Sequence, residues 1–402
     1  VGFGQGVGGW SYALTSCRSV ALYLNLAVWP HPLVFDYGYG TTVVSKASAI
    51  APQALVLAAL LLGTAVALWQ WPTVGFAGAW FFVILAPTSS VVPIVKQPIA
   101  ESRLYLSLAA VVGLVVLGLY RWIGRRSLIL LAVTAVGLGW LTIQRNEDYR
   151  SALSLWSDTV AKQPENARAR NDLGLALKNT PGRMLDAIAQ FDAALRLKPN
   201  YAEAYNNLGV VLTKTPGRLA DALPQLETAV RIKPDYPEAH NNLGVALIQT
   251  PGRMSDAIAQ LETAVHLNPN YAEAHNNLGV ALATIPGRLP EAMVHYQAAL
   301  KINPYFMEAH YNLGNALARQ RLYPAACHEY EETVRLKADF VDGHVGWGVA
   351  LLNVGELNEA AAQFETALRL KPGYSLAQKN LDLAKDLLFK SRPNDSSGRP
   401  AP

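Results

Sequence analysis

The pattern of hydrophobic and polar residues divides the chain near residue 144. Residues 47–95 contain no Asp, Glu, Lys, Arg or His, and further uncharged runs cover residues 104–120 and 127–143. A helix of about 20 apolar residues crosses a bilayer. These runs therefore predict about four transmembrane helices, near residues 50–69, 75–85, 104–120 and 127–143, with the Pro- and Gly-containing sequence QWPTVG at 70–75 as the first turn. Buried helices of a soluble protein are the alternative.

The second half repeats with a period close to 35 residues. Prolines stand at positions 164, 199, 234, 269, 304 and 372, and Leu-Gly pairs begin at 173, 208, 243, 278 and 313. A period near 34 residues with these marks is typical of helix-turn-helix repeats that stack on one another. Over about residues 165–371 the chain resembles the tetratricopeptide repeat family. Asn200, Asp235 and Asn270 are predicted N-caps of the first helices, since each precedes a Glu by three positions.

Together these patterns predict an all-α fold: a multi-span helical membrane segment followed by a tetratricopeptide repeat superhelix, an α-solenoid. We expect an extracytoplasmic segment with an interfacial helix at 1–46 and a membrane domain at 47–144. A connecting helix should follow at 145–164. An array of about six repeats with a capping helix is expected at 165–390, and a disordered tail at 391–402.

Charge predicts both topology and partners. Seven of the 34 Lys and Arg but only two of the 30 Asp and Glu lie in residues 1–144, so that half carries +5 and the rest −1. Arg121, Arg125 and Arg126 cluster in the short loop RWIGRR, which the positive-inside rule places in the cytoplasm. The chain should then be an integral protein of a bacterial inner membrane or an ER-type membrane. Its array should lie on the extracytoplasmic side, in the periplasm or the lumen. The near-neutral array lacks a basic tract for nucleic acid.

Asparagines recur on the first helix of the repeats, on the side that lines the groove of such arrays. Asn doublets at these positions predict a ladder of amides whose donors and acceptors can hold a peptide backbone whatever its side chains. It is similar to the asparagine ladder of O-GlcNAc transferase repeats, and the alternative is that recent duplication copied the residue. The predicted peptide-binding groove consists of Asp172, Asn207, Asn242, Asn277 and Asn312.

Histidines also recur at one repeat position: His240, His275, His310 and His344. Equivalent side chains in successive repeats are separated by an intervening helix, with helices packed about 8–10 Å apart. We therefore expect histidines at the edge of the core and no metal site. With Cys17 and Cys327 as the two cysteines, no structural disulfide is expected either.

Three stretches resemble a second family. Residues 14–38, 101–109 and 145–174 look like the C-terminal part of the transmembrane-and-tetratricopeptide proteins of the GT-C glycosyltransferase superfamily. ESRLYLSL matches that family's Glu-x-Arg-x-Tyr-x-Pro pattern at Glu101, Arg103 and Tyr105, and departs from it at Ser107. The resemblance implies transfer of a sugar, usually mannose, from a polyprenyl-phosphate donor to protein hydroxyls. In that case Arg103 contacts the lipid phosphate and Glu101 orients it.

The same resemblance implies further site residues and a missing part. His31 and Asp36 are weaker donor-lipid candidates in the outer loop, and a divalent metal is implied for a full-length enzyme. The superfamily's catalytic acids lie near the start of its members, so we expect this chain, which begins at Val1, to be a C-terminal fragment with no assignable catalytic residue. The alternative is a non-catalytic, membrane-anchored scaffold for protein complex assembly. Membrane lipid and a polypeptide in the groove are the expected partners.

Overall fold

The computed structural model describes residues 50–79 except 73 and 77, separate stretches between residues 116 and 143, and residues 150–391 continuously. The chain divides into two compact units, Val1–Thr215 and Pro216–Pro402. Every regular element in the described residues is a helix. The predicted all-α class is therefore confirmed.

Helix α1, Ala51–Gln70, matches the first predicted span. It has 20 residues, 18 of which form a window with a mean hydropathy of 2.0, and among the described residues it is the one helix long and apolar enough to cross a membrane. Leu55 and Leu62 are exposed along it, and Ala67 is its one buried residue. A multi-span segment is not supported, because the other predicted spans lie largely outside the described residues.

The chain reverses direction where QWPTVG predicted a turn. The Trp71 backbone N–H donates to the Ala67 carbonyl at 2.7 Å, and the N–H groups of Val74 and Gly75 donate to the Trp71 carbonyl. A Cβ at Gly75 would collide with the backbone of Leu68. Glycine at this position therefore lets the returning segment approach α1 closely, as small residues do between helices in membranes.

The arginine-rich loop also lies partly within the described residues. A 3₁₀ turn, Gly124–Arg126, separates helical residues 118–123 from helical residues 127–130. The Ser127 hydroxyl donates to the Gly124 carbonyl at 2.8 Å, and Gly124 has a φ of +61°. The side chains of Arg121, Arg125 and Arg126 are exposed there.

Regular helix pairs follow in the second half. In the first unit the helices are α2 Ala152–Lys162, α3 Ala167–Lys178, α4 Met184–Leu197 and α5 Ala202–Lys214. In the second unit they are α6 Leu219–Ile232, α7 Pro237–Ile248, α8 Met254–Leu267, α9 Ala272–Ala283, α10 Leu289–Ile302, α11 Met307–Arg319, α12 Tyr323–Leu336, α13 Val341–Val354, α14 Leu357–Leu370 and α15 Ser375–Ser391. Repeats 1 to 6 are α3–α4, α5–α6, α7–α8, α9–α10, α11–α12 and α13–α14.

Within each unit every helix of the repeats packs on the next, and first helices also contact the first helices of neighbouring repeats. The second helices bury alanines, which allow neighbouring helices to approach closely. In α6, Ala222 and Ala229 are fully buried, and so is Leu226 between them. One apolar cluster runs from Ile258 in α8 to Ala350 in α13. No repeat buries its apolar face alone, so stacking creates the core.

The Leu-Gly glycines make room for the largest side chain of the second helix. A Cβ on Gly174 would lie 2.6 Å from Phe191 Cε1, and one on Gly279 would lie 2.6 Å from Tyr296 Cε1. The facing side chains are buried. This contact explains why the glycine of the Leu-Gly mark recurs from repeat to repeat, including Gly348 after Trp347 in repeat 6.

The predicted N-caps are wrong. Helices α5, α7 and α9 are capped at Tyr201, Tyr236 and Tyr271, one residue after the predicted positions, and none has a side-chain capping bond. Instead, the Nζ of Lys198 lies 4.5 Å from the centre of the Tyr201 ring, and Lys233 stands likewise over Tyr236. A lysine–aromatic contact therefore accompanies the start of the first helix in repeats 2 and 3, whereas Asn268 takes the place of the lysine before Tyr271.

Candidate functional site

Helices α7, α9 and α11, the first helices of repeats 3 to 5, present one periodic surface, here called the first-helix face. Each contributes an exposed acid at its second position, a half-buried Asn four residues later and a half-buried residue three further on. Helix positions 0, 4 and 7 lie on one side, so the three rows run in parallel from repeat to repeat. The face comprises Glu238, Asn242 and Val245 of α7, Glu273, Asn277 and Val280 of α9, and Glu308, Asn312 and Asn315 of α11.

Three of the ladder asparagines, Asn207, Asn277 and Asn312, are each hydrogen-bonded to a buried asparagine of the preceding repeat. Asn277 Nδ2 donates to Asn241 Oδ1 at 2.9 Å, and Asn312 Nδ2 donates to Asn276 Oδ1 at the same distance. In the first unit Asn207 bonds to Asn171 in the same way, also at 2.9 Å. In a doublet the first asparagine is therefore a buried acceptor and the second is a half-buried donor. Together they fasten one first helix to the next.

The ladder keeps hydrogen-bonding capacity after this fastening. A side-chain amide has two N–H donors and an oxygen with two lone pairs. Asn277 uses one N–H on Asn241, and its oxygen lies 3.5 Å from the amide nitrogen of Asn276. One N–H and one lone pair remain for a ligand, and they match the C=O and N–H of an extended peptide.

The ladder ends for different reasons at its two ends. Asp172, the predicted first member, accepts from Asn171 Nδ2 at 3.0 Å and faces Arg168 Nε at 3.6 Å. At the other end Gly346 takes the place of Asn, and a Cβ there would lie 2.7 Å from Tyr330 Cε1. The Tyr330 ring therefore leaves no room for another asparagine.

Acids and tyrosines line the edge of the face where the first helices begin. Burial, followed by the carboxylates of Glu273 and Glu238, raises the pKa of Tyr271 to about 12. Tyr374 Oη donates to Asp342 Oδ1 at 2.9 Å, which raises the pKa of that phenol. Each of these tyrosines stays a neutral hydrogen-bond donor near carboxylates.

The four histidines each fasten a first helix within its own repeat. The Nε2 of His240 lies 2.9 Å from the Pro234 carbonyl and its Nδ1 lies 2.7 Å from Gln260 Oε1. Arg170 makes the corresponding pair of contacts in repeat 1, to the Pro164 carbonyl and to Gln190. Because an arginine makes the same two hydrogen bonds at this position, we infer that the histidines serve to fasten the helix. This agrees with the expectation of histidines at the edge of the core.

The other predicted site residues lie outside the described residues: His31, Asp36, Glu101, Arg103 and Tyr105. Their fit to a lipid-linked sugar or to a divalent metal therefore stays a prediction. In the part of the chain that the structure describes, no three His, Cys, Asp or Glu side chains converge as a metal site.

Sequence comparisons identify repeats over the region that the periodicity marked. The model described as "TPR repeat" matches residues 182–215 and 286–320, and the model described as "Tetratricopeptide repeat" matches residues 215–279. No curated protein is a significant match to the chain.

Three solved structures are similar to part of the chain. The APC/C hetero-tetramer Cut9–Hcn1 matches with 21% identity and a TM-score of 0.52, and the match covers 58% of this chain but 45% of that one. Pseudomonas aeruginosa PilF has 20% identity and a TM-score of 0.48, covering 53% of this chain and 95% of PilF. The type IV pilus biogenesis factor PilW has 19% identity and a TM-score of 0.49, covering 54% and 98%.

The helix pairs, the Leu-Gly packing and the family matches all indicate the same kind of repeat. The second half of the chain carries a tetratricopeptide repeat array. Glycosyltransferase chemistry has no support among the described residues.

Proposed function

We propose that the protein is a membrane-anchored scaffold whose repeat array binds polypeptide segments of partner proteins along the first-helix face. The observation that carries this proposal is the spare amide capacity of the ladder. Asn277 and Asn312 are fixed in position by Asn241 and Asn276, so little conformational entropy remains to be lost when a peptide binds.

Backbone-directed hydrogen bonding predicts tolerance of peptide sequence. The amides address the C=O and N–H that every residue carries, while Val245 and Val280 supply modest apolar contact. We expect extended segments to bind and pre-formed helices not to bind, because a helix has already used its backbone groups.

Helix α1 is the proposed membrane anchor. Its exposed leucines, its length and its closely packed return at Gly75 suit a lipid environment. The exposed arginines at 121, 125 and 126 support a cytoplasmic loop, which would put the array on the extracytoplasmic side. The glycosyltransferase-like reading has no observation in its favour here and remains a prediction from residues outside the described part.

The binding proposal is tested on the full chain in detergent micelles. The probe is a fluorescent pool of random, unstructured 12-residue peptides (about the span of two repeats), read by fluorescence anisotropy. Changing Asn242, Asn277 and Asn312 together to Ala should weaken binding about tenfold or more. The matched control is Asn353→Ala, an exposed asparagine whose amide bonds only to the Val349 carbonyl of its own helix at 2.8 Å. Equal affinity in the triple variant and the wild type would contradict the proposal, provided that both retain the same helical circular dichroism.

A further inference from the structure

In repeats 3 to 6 the histidine of the first helix faces one of three kinds of partner on the second helix of its repeat. In repeats 3 and 6 the partner of His Nδ1 is a glutamine: Gln260 faces His240 at 2.7 Å, and Gln363 faces His344 at 2.8 Å. In repeat 5 it is Glu329, 2.7 Å from His310. In repeat 4 it is His295, whose Nδ1 lies 3.1 Å from the Nδ1 of His275.

The backbone fixes the tautomer of His275. Its Nε2 lies 3.2 Å from the Pro269 carbonyl, which can only accept, so Nε2 carries the proton. In the neutral ring Nδ1 is then the acceptor, and the 3.1 Å contact requires His295 to donate from its own Nδ1. The contact therefore persists only while His275 Nδ1 stays unprotonated.

The three kinds of partner respond differently to acid. A glutamine amide can turn to donate to neutral histidine or to accept from protonated histidine, so it accommodates both states. A glutamate only accepts, so protonating His310 strengthens its contact. A histidine pair can hold one added proton, on His295 Nε2, but the second must go to His275 Nδ1, where two N–H groups would face each other.

We propose that the His275–His295 contact is an acid-labile joint that loosens repeat 4 at mildly acidic pH, while repeats 3 and 6 are unaffected at the corresponding position. The joint ties α9, which carries Asn277 of the ladder, to α10. Loosening it weakens one of the contacts that hold that part of the first-helix face on its second helix. This inference concerns regulation of the array and stands whether or not the ladder binds peptide.

The surroundings of the pair act in the same direction. Burial lowers the pKa of His295, the charges of His275 and Arg288 lower it further, and Glu291 opposes them. Arg288 and Glu291 are paired with each other on α10 at 2.6 Å, and Glu262 of the neighbouring helix α8 acts on Arg288. His295 in the folded chain therefore binds protons less readily than a free imidazole, and its contribution to stability falls as the pH drops below the ordinary histidine pKa of about 6.5.

Peptide-resolved hydrogen exchange on the full chain tests the joint at about pH 7.5 and about pH 5.5, corrected for intrinsic exchange rates. In the wild type, protection of α9 and α10 should fall about tenfold more than protection of α7 and α8, since each pH unit with one proton fewer bound changes the equilibrium tenfold. His295→Gln, which installs the partner of repeats 3 and 6, should abolish that difference.

The opposite substitution, in repeat 3, tests the proposal even if His295→Gln folds poorly. Gln260→His should create the same acid-sensitive loss in α7 and α8, beside His240. Equal pH responses of the two repeats in the wild type, or a loss that persists in His295→Gln, would overturn the proposal. So would a Gln260→His variant whose α7 and α8 stay as protected at the lower pH as the wild type.

Discussion

The side-chain amide of Asn277 donates to the side-chain oxygen of Asn241, 36 residues earlier, at 2.9 Å. Asn312 and Asn276 repeat this relationship one repeat further along. A residue expected to contact a ligand therefore also holds neighbouring repeats together. The same side chain therefore affects both peptide binding and stability. Both properties must be measured in any variant of it.

Asn277→Ala should lower the free energy of unfolding of the array by about 1–3 kcal/mol, because it leaves the buried oxygen of Asn241 without its donor. Urea denaturation followed by circular dichroism measures the loss. Asn353→Ala removes an exposed amide bonded within its own helix, and should change stability by less than about 0.5 kcal/mol. Equal effects of the two variants would show that the inter-repeat bond contributes nothing.

Gly279→Ala should destabilise repeat 4, although alanine is the better helix former. The added Cβ would lie 2.6 Å from Tyr296 Cε1, and the forced displacement of a buried ring costs about 1–3 kcal/mol. In Gly314→Ala the nearest atom, Tyr330 Cδ1, is 3.0 Å away, so its cost should be smaller. Thermal unfolding of both variants checks the order, and a stabilised Gly279→Ala would refute the packing account.

Arg321→Gly should stabilise the array by about 0.5–1 kcal/mol. Arg321 has a φ of +59°, and its N–H and that of Leu322 bond to the carbonyls of Ala318 and Leu317, the hydrogen bonds of a Schellman motif. Glycine adopts this conformation without the steric cost that other residues bear there. Repeat 6 has Gly355, with a φ of +99°, at the same place, and Gly355→Ala should shift the denaturation midpoint in the opposite direction.

Removing the imidazole of His310 should change how stability depends on pH. Burial lowers the pKa of His310, but the hydrogen bond to Glu329, the Pro304 carbonyl and the nearby carboxylates outweigh it, so the net shift is upward. A raised folded pKa gives stability that is fully present below about pH 6.5 and is lost as the pH rises through the folded pKa. The wild type should therefore exceed His310→Gln in unfolding free energy at low pH, with the gap narrowing above neutrality. A gap that does not vary with pH would contradict this.

The array should be digested by protease added to the extracytoplasmic side of membrane vesicles and protected from protease on the cytoplasmic side. This follows from the positions of Arg121, Arg125 and Arg126 in one exposed loop. Replacing all three with Ser should scramble the orientation, whereas replacing Arg168, Arg183 and Arg196 of the array should not. Digestion of the wild type from the cytoplasmic side alone would reverse the proposed topology.

The array was predictable because its period is long and its marks have local causes. Gly182 and Gly217 adopt a φ of +76° in the turns between the helices of their repeats, and Ala222 is fully buried in the second helix of repeat 2. The starts of the first helices were placed one residue too early. Asn166 caps α3, accepting from the Ala169 N–H at 3.0 Å, but tyrosine occupies that position in repeats 2 to 4, and no local rule favours it there.

The sequence could not show which asparagine of a doublet is the buried acceptor and which is the half-buried donor. Asn276 and Asn277 are adjacent and chemically identical, yet one is buried and the other half-buried. Which of them accepts depends on how the next first helix is placed, a tertiary property. The His275–His295 contact joins positions 20 residues apart in the same way. The alignment of repeats shows that His295 replaces a glutamine but does not give the distance between the rings.

Site-specific photo-crosslinking tests the central claim, that the first-helix face binds polypeptide, most directly. A photoreactive residue at Val280, on that face, should form adducts with the random peptide pool. The same residue at Val294, exposed to 61% on the second helix of the same repeat, should not. Adducts at 280 that disappear with excess unlabelled peptide would establish the face as the binding surface. Adducts at 294 and none at 280 would contradict the account.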